Sequence, residues 1–514
     1  MKLGMARSVA LHGLEGTAVE VEAHIGQGLP QFTVTGLPDA ACGQAPERIK
    51  AATLPLGLSV SQMRVTVNLS PASITKSGSA FDLPMAVAVL AAAGKVPRNV
   101  CREVVHLGEL GLDGSVRAVR GILPAVHAAL RHGARDVVVP SANAAEARLV
   151  EGIRVHDVSD LTTLVSRYEQ AQDSGELPWP DVGPSLVPSP TEAFAPPDLA
   201  DVVGQDEARL ALELAAVGVH HLLLTGPPGA GKTMLAERLV SILPPLHREE
   251  SLEVMAVRSL VGDLPEQPLL TGIPPFVAPH HSASTAAIVG GGSGHVRPGA
   301  ITQAHRGVLF LDEAPEFRTT VLQCLRQPLE SGEVVVARAR ESIRFPARFQ
   351  LVMAANPCPC GLGFGKGEEC TCSALQRRRY SGRLSGPLLD RVDLQVQIPA
   401  VSRAALGMPP GEPSSVVASR VARARQAQAE RWSRVRWSVN GRAPGAALRR
   451  APWRPGASTT ADLDRALDRG LLTLRGYDRV LRLAWSVADL AGRTTPSRAD
   501  IGLALALRQQ GQVA

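Results

Sequence analysis

Two apolar rhythms alternate along the 514 residues of this chain. Segments in which every second side chain is apolar predict half-buried strands at Thr17–His24, Gln31–Thr35 and Met63–Asn68. Helical spacing predicts helices over Ala40–Leu54 and Asp82–Ala93, followed by a strand at Asp136–Pro140 and a short helix at Ala142–Val150. Together these place one α/β domain in residues 1–170. Both rhythms then stop. Residues 174–199 hold seven prolines in 26 positions, which predicts a semi-extended linker over 171–199.

A second α/β unit is expected over 200–400. His220–Thr225 reads as a short buried strand, and Met234–Leu243 as a helix stopped by Pro244-Pro245. Val308–Leu311 and Phe349–Ala355 are unbroken apolar runs, the pattern of strands covered on both faces. Gly332–Arg338 and Ser342–Pro346 alternate on either side of a polar turn and predict a β-hairpin. Over 401–514 the spacing is helical again, at Ala418–Trp437 and through Thr459–Gln509, which reads as a helical lid. Asp489–Gly492 ends one helix there, and Thr495–Asp500 caps the next.

Composition narrows the class. Aliphatic side chains must do most of the packing, because aromatics make up only 3% of the residues. The charge of +6 is a mild attraction for polyanions. The longest apolar run, Leu83–Gly94, is too short to cross a bilayer, and the N-terminus lacks a signal-peptide pattern. Of seven cysteines four are clustered, which favours a metal or redox cluster in a reducing compartment over a disulfide scaffold. A cytoplasmic protein is expected.

The chemistry centres on Gly226, Pro227, Pro228, Gly229, Ala230, Gly231, Lys232 and Thr233, which fit the phosphate-loop pattern G-x-x-x-x-G-K-[ST] at every fixed position. A strand before the loop and a helix after it supply the required context. Glycines let backbone N–H groups crowd round phosphate oxygens, and the helix N-terminus adds partial positive charge. Lys232 can reach the β- and γ-phosphates of ATP, and the Thr233 hydroxyl can bind Mg2+. Downstream, Gly307-Val-Leu-Phe-Leu-Asp-Glu313 runs a buried strand into two acids. Asp312 would hold Mg2+, and Glu313 would polarise the attacking water. The paired motifs predict an ATPase.

Cys358-Pro-Cys360 and Cys370-Thr-Cys372 can supply four thiolates to a structural Zn2+, although C-x-C is not the common spacing and four unligated or redox-active thiols are the alternative. From Val401 to Arg454 there are eleven arginines against two acids, Glu412 and Glu430. Trp432 and Trp437 lie among these arginines, a pattern suited to phosphate contact with base stacking; a solvated helix face is the plain alternative.

Asn68-Leu-Ser-Pro-Ala72, Gly78-Ser-Ala-Phe-Asp-Leu-Pro84 and Gly108-Glu-Leu-Gly-Leu-Asp-Gly114 resemble the first domain of the ComM/YifB, or magnesium-chelatase-like, family. That domain is similar to ribosomal protein S5 and to the catalytic domain of Lon protease, which uses a Ser–Lys dyad. The resemblance puts Ala80 and Leu123 at the dyad positions, and neither side chain can do the chemistry. Ser79 and Lys76 are the nearest substitutes and read as flanking residues.

Asp201-Val-Val-Gly-Gln-Asp206 resembles the adenine-side opening of AAA+ ATPases, and Phe276-Val-Ala-Pro-His-His281 a family Pro-His-His step before a glycine-rich loop. Val277 stands where the family usually carries arginine. A structural or substrate-loop role is favoured over zinc for the two histidines. The resemblance makes Asn356 the polar sensor between the γ-phosphate and water. Arg383-Leu-Ser-Gly-Pro-Leu-Leu-Asp-Arg391 matches a family signature, with Arg391 as the arginine donated to a neighbour's phosphates. Leu474–Arg482 resembles the sensor-2 helix, with Arg475 reaching the nucleotide from the lid.

The implied fold is a Lon-protease-like α/β domain, a P-loop AAA+ core and a helical lid. The implied function is a hexameric motor that acts on single-stranded or branched DNA, promoting branch migration of recombination intermediates. Two other readings stay open: a chelatase-like remodeller of a protein partner, and a nucleotide-switched assembly factor. An ATP-dependent protease is disfavoured by Ala80 and Leu123.

Overall fold

The computed structural model describes residues 3–174, 196–265, 270–292, 296–337, 342–363, 370–384, 386–400 and 407–509. Most of the expected linker, residues 175–195, and the hairpin turn at 338–341 lie outside the described residues. So do Ser385 of the Ser-Gly-Pro signature and Arg403 of the arginine-rich segment. Residues 171–174 finish a helix, Leu161–Ser174, so the first unit ends slightly later than its pattern implies.

The first unit is a seven-stranded mixed sheet. Strands β1 (Leu3–His12) and β2 (Glu15–Gly26) pair antiparallel, and β3 (Gln31–Thr35) lies parallel to β4 (Arg64–Ser70). Strand β5 (Val105–His106) opens the other half. After it come a small ladder of β6 (Glu109–Leu110) and β7 (Val116–Arg117), and then β8 (Asp136–Pro140) and β9 (Arg154–Val158). The order is β3-β4-β2-β1-β5-β8-β9. Asp82–Ala93 is a helix with eleven buried residues out of twelve, so it is core on every side. Gly4 of β1 lets it approach: a Cβ there would lie 2.1 Å from the Ala88 carbonyl oxygen.

The second unit starts at β10 (Leu222–Thr225), continues through β11 (Phe276–Val277) and a two-stranded ladder of β12 (Gly290–Gly291) and β13 (Arg297–Pro298), and reaches β14 (Val308–Leu311). The expected hairpin is β15 (Glu333–Ala337) with β16 (Ser342–Pro346), followed by β17 (Gln350–Ala355) and β18 (Leu394–Gln397). Five of these strands form one all-parallel sheet in the order β11-β14-β17-β10-β18. Loops leaving β10, β14 and β17 therefore emerge at the same carboxyl edge, where α/β sheets bind ligands.

The chain ends in helices Ser414–Arg431, Ala457–Asp468, Leu474–Leu490 and Arg498–Gln509. Their apolar faces join one core with Leu222, Leu224 and Val396 of the parallel sheet. Among the described residues no helix is long and apolar enough to cross a membrane.

A helix of the second unit, Arg248–Val261, ties the two sheets together. Its Met255 is buried with Ile122 and Val126 of the first unit. Its Ser259 hydroxyl donates to Glu146, whose carboxylate also accepts from the Leu123 N–H at 2.8 Å and from Asn143 at 3.1 Å. Burial raises the Glu146 pKa above the usual carboxylate value.

Candidate nucleotide site

The phosphate loop leaves β10 and turns into the helix Lys232–Ile242. Gly229 and Gly231 take positive φ of 73° and 86°, which lets the loop fold back over itself. Lys232 is nearly buried, and its Nζ donates to the carbonyls of Gly226 (2.8 Å) and Pro227 (2.9 Å) and to Asn356 Oδ1 (3.0 Å). Burial lowers its pKa below the ordinary amine value, while Asp312 and Glu313 pull it back up.

The Thr233 hydroxyl donates to Asp312 Oδ2 at 2.8 Å, and the Glu313 N–H donates to Asp312 Oδ1 at 2.9 Å. A hydroxyl and a carboxylate facing one another in this way are the donor set a hard cation requires, so these residues fit Mg2+. Glu313 itself adopts left-handed backbone, φ 50°, an uncommon conformation for a non-glycine residue that aims its side chain off the strand end. Thus Lys232, Thr233, Asp312, Glu313 and Asn356, taken from three loops, converge at one sheet edge.

Two further contacts were not legible in the spacing. Gln205, also with positive φ (55°), sends its amide to the Ala230 carbonyl at 2.9 Å and so ties the segment 201–206 to the phosphate loop. His281 Nδ1 lies 3.2 Å from Glu313 Oε2, and the rings of His280 and His281 sit 4.1 Å apart. The Pro-His-His step therefore reaches the acid. Among the described residues the one group of three or more His, Cys, Asp or Glu side chains close enough to hold a metal is Cys358, Cys360, Cys370 and Cys372, and neither His280 nor His281 belongs to it.

Arg391 and Arg475 lie elsewhere. Both line a cavity of about 630 Å³ that also receives Arg436, Arg479 and Arg482, and no residue of the phosphate loop lines it. Arg391 is 6% exposed; it donates to the Pro387 carbonyl and pairs with Glu330. Arg475 is exposed at the start of helix Leu474–Leu490. Burial and the neighbouring Arg479 bring the Arg482 pKa down to about 10. Beneath the cavity Asp393 accepts from Arg479 (2.9 Å) and from the backbone N–H of His221 (3.0 Å); burial opposes its charge, but Arg479 and the adjacent His220 hold it well below the usual carboxylate range.

The tryptophan reading needs correction. Trp432 is 1% exposed, donates its indole N–H to Asn440, and packs against Trp453 at 4.6 Å and Trp485 at 6.4 Å. It is the core of the helical bundle, not a platform for bases. Arg420, Arg425 and Arg431 are also engaged, with Glu213 and Glu412, the Ala216 carbonyl, and Asp489 respectively. Arg423, Arg434 and Arg436 are exposed. In the first unit, Ser79 donates to Glu109, and the buried Lys76 donates to the Pro71 carbonyl.

Comparison with known proteins gives three consecutive family matches. They are "Subunit ChlI of Mg-chelatase" over residues 21–143, "Magnesium chelatase, subunit ChlI" over 198–406, and "Magnesium chelatase, subunit ChlI C-terminal" over 411–508. A protein of Mycobacterium tuberculosis is 51% identical, with 99% of each chain covered. Competence protein ComM of Haemophilus influenzae is 38% identical over 99% of this chain and 98% of its own. The magnesium-chelatase 38 kDa subunit of Rhodobacter capsulatus is 32% identical, but over only 41% of this chain and 59% of its own.

Proposed function

This chain belongs to the ComM/YifB family of magnesium-chelatase-like AAA+ proteins, and from that premise we propose that it is a cytoplasmic, ATP-driven DNA motor. It works as a ring, with six subunits as the expected number, and drives branch migration of recombination intermediates. The observation that carries the reading is the separation of two half-sites. Lys232, Thr233, Asp312, Glu313 and Asn356 meet at the sheet edge, while Arg391 and Arg475 line a different cavity. Each half is incomplete alone, and a ring of identical chains joins one to the other.

In that arrangement Lys232 exchanges its loop carbonyls for phosphate oxygens. Thr233 and Asp312 would hold Mg2+, which would supply positive charge against the phosphates. Glu313 polarises water held by Asn356. Arg391, released from Glu330, reaches the neighbouring subunit's phosphates with its planar fork, and Arg475 approaches from the same side. His281 lets the glycine-rich loop after it sense or restrain Glu313. The first domain acts as a scaffold without peptidase chemistry, in keeping with Ala80 and Leu123. The DNA link is supported by the near full-length likeness to a competence protein. The chelatase subunit is covered over little more than half its length, which counts against the chelatase-like reading.

The test is steady-state ATP hydrolysis with Mg2+, alone and with single-stranded or four-way-junction DNA, using Lys232→Ala as the blank. Stimulation by DNA that the blank lacks supports the motor. Hydrolysis indifferent to every DNA points to a protein client, and negligible turnover by the assembled chain points to a switch.

A further inference from the structure

The two C-x-C pairs are brought together from either side of residues 364–369, which lie outside the described residues. All four sulfur atoms lie within 4.8 Å of one another. Cys358 and Cys360 are 3.3 Å apart, and each is 3.6 Å from Cys370. In a tetrahedral thiolate site the zinc–sulfur distance of roughly 2.3 Å sets sulfur–sulfur edges of roughly 3.8 Å, close to these separations. The Gly363 N–H donates to the Cys358 sulfur at 3.2 Å, an outer hydrogen bond of the kind that steadies a metal-bound thiolate.

The surroundings give the cluster a task. Cys358 follows Asn356 by two residues at the end of β17. Cys372 precedes Ser373, whose hydroxyl and backbone complete a capping box with Gln376 on the helix Ala374–Ser381. That helix leads to the segment carrying Arg391. Between the cysteines, Gly361 takes φ +79° and lies directly on the phosphate loop. A Cβ at this position would come within 2.5 Å of Pro228.

We propose that Cys358, Cys360, Cys370 and Cys372 bind one structural Zn2+, and that this metal holds the turn Cys358–Gly361 against Pro228, fixing the phosphate loop and Asn356 for ATP. The clasp rests on the nucleotide-site reading above; the metal site does not. A closed four-thiolate site has no open position, so the ion's work is to hold the fold rather than to catalyse. Oxidants or chelators that open it would loosen the nucleotide site without touching any residue of it.

The experiment uses the full chain, purified under reducing conditions without added metal. Elemental analysis is expected to find about one zinc per chain. Removing the zinc and titrating with Co2+ is expected to give the thiolate charge-transfer and tetrahedral bands, displaced by Zn2+. These bands should be lost in Cys370→Ser/Cys372→Ser and kept in Lys232→Ala. Binding of a fluorescent ATP analogue is then compared before and after metal removal, with circular dichroism confirming the fold. A loss of affinity of about tenfold or more supports the clasp. A folded, reduced chain without stoichiometric zinc and without cobalt bands overturns the site, as does recovery of the four cysteines as disulfides. Zinc present with unchanged nucleotide affinity overturns the clasp alone.

Discussion

Replacing Arg391 by alanine, and then mixing that variant with Lys232→Ala, tests whether the two half-sites complete one another across a subunit boundary. The fold should survive. Arg391 pairs with Glu330, whose side chain is 56% exposed, so the ion pair contributes no more than about 1 kcal/mol. Loss of the buried stem adds on the order of 1–2 kcal/mol. The catalytic cost is far larger: an arginine finger contributes roughly a thousandfold or more to turnover, about 4 kcal/mol. Each variant alone should therefore hydrolyse ATP near background. In an equal mixture, a boundary that takes its phosphate loop from the Arg391→Ala chain and its arginine from the Lys232→Ala chain is intact. Random assembly makes about one quarter of boundaries intact, so the mixture should recover roughly that share of wild-type ATPase. If both residues served one subunit's own site, every chain would carry a lesion and nothing would be recovered. A co-assembled mixture no more active than either variant alone would refute the reasoning.

Other substitutions follow from contacts already described. Glu313→Gln should bind nucleotide but not hydrolyse it, measured by filter binding beside turnover. His281→Ala removes the tether on Glu313 and should lower the ratio of DNA-stimulated to basal ATPase; an unchanged ratio would show the contact to be incidental. Asp393→Ala removes the buried partner of Arg479 and the acceptor of the His221 N–H, and should cost on the order of 2–3 kcal/mol in denaturant unfolding. Glu253 is held at about 2, below its ordinary 4.5, chiefly by His305 and then by Arg306. Its folded-state pKa is depressed, so its stabilisation is complete above 4.5 and is lost as the pH falls towards 2. Thermal melts of Glu253→Gln should accordingly show a flatter acid limb across that window than the wild type.

What the sequence made legible was whatever depends on neighbours along the chain. Asp82–Ala93 and Asp136–Pro140 form over those very residues, and Val308–Leu311 and Gln350–Ala355 are buried parallel strands as their apolar runs imply. The phosphate loop and the two C-x-C pairs are local in the same sense. Strand β1 escaped notice because Gly4 and Arg7 interrupt its alternation, and Gly4 is there to admit a helix far along the chain. The arginine cavity escaped because Arg391 and Arg475 meet only once the sheet and the last helices are packed. Trp432 misled for a related reason. Helical spacing shows that Arg431 and Trp432 point in different directions, but not which of them faces inward.

The helix Arg248–Val261 belongs by sequence to the second unit, yet it buries Met255 in the first unit and fastens Ser259 to Glu146. Covalent continuity between the units is then dispensable once folding is done. A protease cut within residues 175–195 should give two fragments on a denaturing gel that still elute as one particle. The chain expressed without residues 1–174 should present a sticky apolar helix and precipitate. Any shortened version of this chain that keeps the nucleotide site must carry the first domain with it, whether or not that domain has chemistry of its own.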